Sequence, residues 1–266
     1  MALTDKLADI ADAIREVGGT TAKLTPAEMP AAIEKLGEGE AIEKAERDAM
    51  RSLVDGSFTG VYRDEEVTIL RSGAFQGCTS LTSVELPTVT SIGNNAFQGC
   101  TSLTSVSLPA LVGNTPDGRC VSSFSNCTSL RRLDLPSFSW MGGNETFLGC
   151  TALEYLHLGK STDFSGWKMF YGLISLRTVD FGSLRSLRTD FHDSTLLDTF
   201  IIRTANYVCT TTSANNIPSG CPISNGTGYI YVPRALVEKY KVATNWSVYA
   251  DQFRAIEDYP EICDPD

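Results

Sequence analysis

The sequence predicts an α+β fold: a helical N-terminal region, a solenoid of about six turns with one short parallel strand per turn, and a β-α C-terminal cap. Three observations carry this reading. A template of Phe, two residues, Cys, two residues, Leu, two residues, Val or Leu, one residue and an apolar residue recurs six times. Its spacing is close to 22 residues. Charge is unevenly placed, with 7 basic and 12 acidic side chains in residues 1–56, half of the net charge of -10.

The first four copies are Phe75–Cys78–Leu81–Val84–Leu86, Phe97–Cys100–Leu103–Val106–Leu108, Phe124–Cys127–Leu130–Leu133–Leu135 and Phe147–Cys150–Leu153–Leu156–Leu158. Two degenerate copies follow, Phe170–Leu173–Leu176–Val179–Phe181 and Phe191–Ser194–Leu197–Phe200–Ile202. A period near 22 with L-x-x-L-x-L is the signature of a leucine-rich solenoid. Each turn alone leaves its Phe, Leu and Val in water, and only stacking on the next turn buries them. Burial of each such side chain stabilises by roughly 1.5–3 kcal/mol, so several turns are needed before the core holds. Pro87, Pro109, Pro136, Gly159 and Gly182 follow the strands and stop them.

Cys78, Cys100, Cys127 and Cys150 share one repeat position and predict a buried ladder of small apolar side chains. Leu173 and Ser194 replace them in later turns, as a packing role allows. Cys120, Cys209, Cys221 and Cys263 show no C-x-x-C spacing, so reduced thiols are expected.

The best-matched units, Ala74-Phe75-Gln76-Gly77-Cys78-Thr79-Ser80-Leu81-Thr82-Ser83-Val84-Glu85-Leu86-Pro87 and its copy at 96–109, resemble the BspA-like leucine-rich repeat family. The resemblance covers about residues 67–203. The N-terminal stretch Leu3–Ile33 looks like segments of tail-associated proteins from bacteriophages and prophages of gut bacteria, and Gly228–Cys263 is similar to endings that accompany such repeats in phage proteins.

Three regions follow: a helical attachment or oligomerisation region at 1–56, the repeat solenoid at 57–228, and the β-α cap at 229–266. Residues 4–17, 25–36 and 40–54 carry helical patterns, with Thr25-Pro26-Ala27-Glu28 as a capping-box start. In the cap, Tyr229–Val232 reads as a final strand and Arg234–Ala243 as a helix. Trp246, Tyr249 and Phe253 are placed to plug the end of the solenoid.

Residues flanking the middle apolar position of each strand point away from the core, and those one period apart stack about 4.8 Å apart. One exposed column is Ser83, Ser105, Arg132, Tyr155, Thr178 and Thr199; a second is Glu85, Ser107, Asp134, His157, Asp180 and Ile201. A third, Thr82, Thr104, Arg131, Glu154, Arg177 and Asp198, alternates in sign over its last four turns. Two readings stay open: a solvated face whose charges alternate to avoid repulsion, or a ligand face in the middle turns. On the second reading, the ligand-binding residues are Arg132, Asp134, Tyr155, His157, Thr178, Asp180, Arg131, Glu154 and Arg177. Trp140 and Trp167, between the strands, are either exposed aromatic platforms or core fillers, with core the preferred reading.

The acidic balance argues against nucleic acid as main partner. Two His exclude multi-His metal sites, and an Asp134–His157–Asp180 site would lack soft ligands, so neither metal nor cofactor is expected. No run approaches the ~18–20 apolar residues of a membrane span, and no nucleophile, phosphate-loop or dinucleotide motif occurs. A non-catalytic binding protein is expected. The phage resemblance implies a virion or tail-associated protein that contacts a host-surface polysaccharide or protein and joins other virion proteins, or a second copy, through the N-terminal helices. A bacterial surface adhesin or a structural virion protein is the alternative, with a polysaccharide-active enzyme third.

Overall fold

The computed structural model describes residues 61–114, 120–139, 143–160, 163–164, 166–188 and 191–263. The helices expected within 1–56, and Trp140, lie outside the described residues. The chain winds as a parallel-strand solenoid whose main sheet has nine strands in the order β1-β3-β5-β7-β8-β10-β12-β14-β15. These are Val61–Arg63 (β1), Ser83–Glu85 (β3), Ser105–Ser107 (β5), Arg132–Leu135 (β7) and Tyr155–Leu158 (β8). Thr178–Phe181 (β10), Thr199–Ile202 (β12), Tyr229–Val232 (β14) and Phe253–Ala255 (β15) complete it. Every pairing is parallel and in the register that the repeat dictates, with Arg132 opposite Tyr155, Tyr155 opposite Thr178 and Thr178 opposite Thr199.

The sheet corrects the expected turn number from about six to about eight. β1 adds a turn before the first recognisable repeat, with Tyr62 paired to Val84 in the apolar position. At the other end β14 pairs with β12 and β15 with β14, so the supposed cap continues the same sheet. These end turns lack the Phe-x-x-Cys unit because different side chains close the core there. Tyr62 meets Phe75 edge-on at 5.1 Å, and Trp246 packs edge-on against Phe200 at 6.3 Å. Trp246, Tyr249 and Phe253 are all buried.

Helix is scarce among the described residues, which are mostly sheet, and the cap helix expected at Arg234–Ala243 is present as a 3-10 turn at Arg234–Leu236 leading into an α-helix. Helical structure is confined to Val237–Val242 (α1), Pro260–Cys263 (α2) and four short 3-10 segments. A second face carries Ile69–Leu70 (β2), Ser91–Ile92 (β4) and Gly113–Asn114 (β6) in one small sheet. Asp163–Phe164 (β9), Ser186–Leu187 (β11) and Thr210–Thr211 (β13) form another. The Thr90-Ser91-Ile92-Gly93 element is therefore one rung of a recurring second strand whose sequence drifts while its geometry persists.

Two stacks run through the core. The rings of Phe75, Phe97, Phe124, Phe147, Phe170 and Phe191 lie nearly parallel, with successive centroids 5.2, 5.4, 5.9, 5.9 and 4.4 Å apart. Beside them, the thiols of Cys100, Cys127 and Cys150 donate to the carbonyls of Phe75, Phe97 and Phe124 at 3.0, 3.1 and 3.0 Å, each in the preceding turn. The thiol thus fills an apolar slot while supplying a weak donor to a carbonyl's second lone pair. Burial pushes the Cys78 thiol up to about 11 and Cys120 to about 12, and burial also raises Cys100. Cys127 is raised through its contact with the Cys150 thiol and then by burial. Ser194, in the same column, has its hydroxyl buried without a hydrogen-bond partner among the described residues.

Close turn-to-turn approach explains two of the glycines after strands. A Cβ on Gly159 would lie 1.9 Å from the Pro136 carbonyl oxygen, and one on Gly182 1.8 Å from that of Gly159. Both have room only for hydrogen. Left-handed backbone falls elsewhere in the turn, two residues before and two residues after each of the first five Phe. Gly73, Asn95, Ser122, Glu145 and Lys168 form the first such column; Gly77, Gly99, Asn126, Gly149 and Gly172 form the second.

Candidate functional site

The outer face of the main sheet carries the three expected columns, and the structure divides it into an open and a covered part. In the middle turns, Arg132 at the start of β7 extends over Tyr155 of β8, with its guanidinium carbon 3.7 Å from the ring centroid. Two register positions on, the His157 Nδ1 lies 2.7 Å from Asp134 Oδ1. Arg132 Nη2 is also 3.9 Å from Asp134 Oδ2. Arg132, Asp134, Tyr155 and His157 thus form one contiguous cluster on two neighbouring strands. Parallel in-register pairing produces it, placing 132 beside 155 and 134 beside 157. Burial and then the nearby Asp180 carboxylate raise the Tyr155 phenol above its ordinary value.

Asp180 departs from expectation. Its side chain is only 2% exposed, and Arg203 grips it with Nε at 3.0 and 3.1 Å and Nη2 at 2.7 Å from its two oxygens. It lies next to His157 in register, yet its carboxylate is committed to an ion pair and is not offered to a ligand. Sequence reasoning missed Arg203. The signal was its position, because it takes the place that Pro136, Gly159 and Gly182 hold after earlier strands, one turn beyond an acidic residue.

Ile201 was expected on the exposed face and is buried. Tyr231 beside it on β14 is buried as well, with Tyr229, Ile256 and Tyr259 packed around the pair. The chain after β15 folds back over these last turns, and Tyr259 meets Tyr231 edge-on at 5.5 Å. Tyr229, also unforeseen, carries the Arg254 guanidinium 4.2 Å from its ring centroid. Thr178 lies between, partly buried and opposite Tyr155.

The third column resolves into two ion pairs, Arg131 with Glu154 at 3.4 Å and Arg177 with Asp198 at 3.8 Å. Both are well exposed, and exposed pairs of this kind contribute about 0–1 kcal/mol. They do not join the Arg132–Tyr155 cluster through any ion pair among the described residues.

Trp167 overturns the preference for a core role. It is 60% exposed, with Lys168 Nζ 4.3 Å from its ring centroid. The left-handed turn at Lys168 directs the preceding side chain outward, while the core slot is filled by Met169 and Phe170. Nearby, Tyr171 stacks on His192 at 4.8 Å.

Cys78, Cys100, Cys127 and Cys150 are all buried, and these four, with Cys120, Cys209 and Cys221, are free thiols. Among the described residues no group of three or more His, Cys, Asp or Glu is arranged to hold a metal ion. No described helix is long and apolar enough to cross a membrane.

Residues 68–197 match the BspA type leucine rich repeat region family model, in six copies. Among solved structures, a leucine rich cell surface protein from Faecalibacterium prausnitzii A2-165 is 24% identical, with a TM-score of 0.40. The alignment covers 46% of this chain and 31% of that one, so this chain spans under a third of that protein's length. A T. pallidum leucine rich repeat protein is 23% identical with a TM-score of 0.49, over 64% of this chain and 83% of that chain. No curated protein gives a significant match.

Proposed function

We propose that this chain, whose residues 68–197 match the BspA-type leucine-rich repeat region model, is a non-catalytic binding protein that contacts a surface polysaccharide or protein through the middle turns. The observation that carries the reading is the Arg132–Tyr155 stack beside the Asp134–His157 pair. Earlier turns present Ser83 and Ser105 at the Arg132 position and the Arg63–Glu85 ion pair and Ser107 at the Asp134 position, with no aromatic ring at either, and later turns are covered by the chain's own C-terminal segment. The parallel sheet thus displays one aromatic, charged cluster between a stretch without exposed rings at these positions and a covered one. Tyrosine and arginine are the residue types that dominate binding hot spots, and solenoids present such surfaces for recognition.

The resemblance of Leu3–Ile33 and Gly228–Cys263 to phage tail-associated proteins extends this reading to a virion protein. On it, the N-terminal region attaches the chain to a particle and the repeats face the host. Weak single sites then act together through multivalency.

The test is co-sedimentation of the full-length chain with intact cells from a panel of gut bacteria. Wild type should co-sediment with at least one strain, and the Arg132→Ala/Tyr155→Ala double variant should lose this with an unchanged melting temperature. Equal co-sedimentation of the double variant sinks the strand-face assignment. Failure of wild type on every strain sinks the surface-binding function.

A further inference from the structure

A cleft of about 610 Å³ opens on the side of the second sheet, away from the Arg132–Tyr155 cluster, lined by Arg185, Ser186, Arg188, Tyr207, Val208 and Thr210. In a chain of net charge -10, its polar character is basic. Neither Arg185 nor Arg188 forms an ion pair among the described residues, and both are exposed.

The walls of the cleft are fixed by the fold. Arg185 and Arg188 bracket β11, and Ser186 pairs with Thr210 of β13. The Arg185 carbonyl accepts from the Thr210 amide at 2.9 Å and from its hydroxyl at 3.3 Å. Arg188 Nε donates to Ser186 Oγ at 3.1 Å, which holds the guanidinium near the strand. The opposite wall, Tyr207 to Thr210, is anchored from beneath. The Cys209 amide donates to the Tyr240 hydroxyl at 2.8 Å, and Trp246 Nε1 donates to the Cys209 carbonyl at 2.7 Å. Tyr207 itself is 40% exposed. The chain thus uses buried side chains of its C-terminal region to hold a half-exposed tyrosine beside two arginines that make no ion pair among the described residues.

We propose that this cleft is a second binding site, for an anionic sugar unit of a surface glycan. The guanidiniums provide planar forks for a carboxylate or sulfate. Their Cα atoms, three steps apart along the extended chain, lie about 10 Å from one another, so the two forks can take oxyanions on neighbouring units or one oxyanion at either end of the cleft. The Tyr207 ring supplies a face for the sugar's C–H surface, and the Thr210 hydroxyl a partner for a ring hydroxyl. A long nucleic acid fits poorly, because the charge beyond the cleft repels an extended polyanion. The site stands apart from the strand-face reading, and neither depends on the other.

Affinity electrophoresis of the full-length chain tests it, with polygalacturonate (carboxylate), chondroitin sulfate (carboxylate and sulfate) or dextran (neutral) cast in native gels. Wild type should be retarded by at least one anionic polymer and not by dextran, with retardation weakening as salt rises. Retardation by both points to the carboxylate as sufficient, and by chondroitin sulfate alone to the sulfate. Arg185→Ala/Arg188→Ala should weaken binding at least tenfold and Tyr207→Ala several-fold. Arg63→Ala/Arg234→Ala removes the same charge from two exposed ion pairs elsewhere and should keep binding. The proposal is overturned if neither anionic polymer retards wild type, if Arg185→Ala/Arg188→Ala binds like wild type, or if Arg63→Ala/Arg234→Ala loses binding equally.

Discussion

Arg203 reaches back one turn and clasps the carboxylate of Asp180 in a two-pronged ion pair, with the acid almost wholly buried and the guanidinium 27% exposed. The pair closes the strand face between the open cluster and the covered end. It is asymmetric: solvent can reach one partner and not the other.

That asymmetry predicts unequal effects. Arg203→Ala strands a buried carboxylate and should cost about 3–5 kcal/mol. Asp180→Ala leaves a guanidinium that water can still solvate and should cost clearly less. Urea unfolding of the two single variants and the double variant decides the matter, with equal single effects counting against this picture.

The unpartnered hydroxyl of Ser194 predicts a stabilising substitution. Ser194→Cys restores the residue that turns two to four use to reach the preceding Phe carbonyl. The gain should be about 1 kcal/mol, or roughly 2–4 °C in melting temperature for a protein of this size. A lowered midpoint would show that the column does not tolerate sulfur at its later end.

Two glycines should respond differently to alanine. Gly182→Ala forces a methyl into the Gly159 carbonyl and should cost about 3 kcal/mol or more. Gly77→Ala meets nothing within 4 Å but keeps φ at +74°, so its cost should be about 1–2 kcal/mol, from backbone strain alone. Thermal melts of both variants test the ranking.

The buried thiols make stability fall in alkaline solution. Their folded pKa values lie above the unfolded value near 9, at about 11 for Cys78 and about 12 for Cys120. The unfolded chain therefore releases these protons first. Stability from this source is intact below pH 8.5 and is lost as pH rises through 9 to 11, by up to about 1.4 kcal/mol per pH unit for each thiol. Urea midpoints at pH 7.5, 9 and 10.5 should decline in that order, and Cys78→Val should flatten the decline. A constant midpoint would refute it.

The repeat core was legible because its Phe, Cys and Leu recur at fixed spacing and each has one physical use. The end turns were not, since Tyr62 and Trp246 close the core with shapes that occur once each. The outward columns were readable as positions: Arg132 does meet Tyr155, and Asp134 does meet His157. Their burial was not readable. Whether Asp180 or Ile201 reaches solvent depends on Arg203 and on Tyr259, which belong to other turns and carry no repeat signal. The left-handed column two residues before each of the first five Phe was equally hidden, because Gly73, Asn95, Ser122, Glu145 and Lys168 share no residue type.

The near-identity of the first two units, Ala74–Pro87 and Ala96–Pro109, has a genetic consequence. Their rings stack at 5.2 Å with an interplanar angle of only 3°, and their strands pair position for position. A recombination event that deletes or duplicates 22 codons between them joins surfaces that already match. Such an event moves everything before it along the solenoid axis by one strand spacing and leaves the Arg132–Tyr155 cluster intact. Turn number at this end can drift under recombination, whereas the single-use contacts of Arg203, Trp246 and Tyr259 hold the other end to one length.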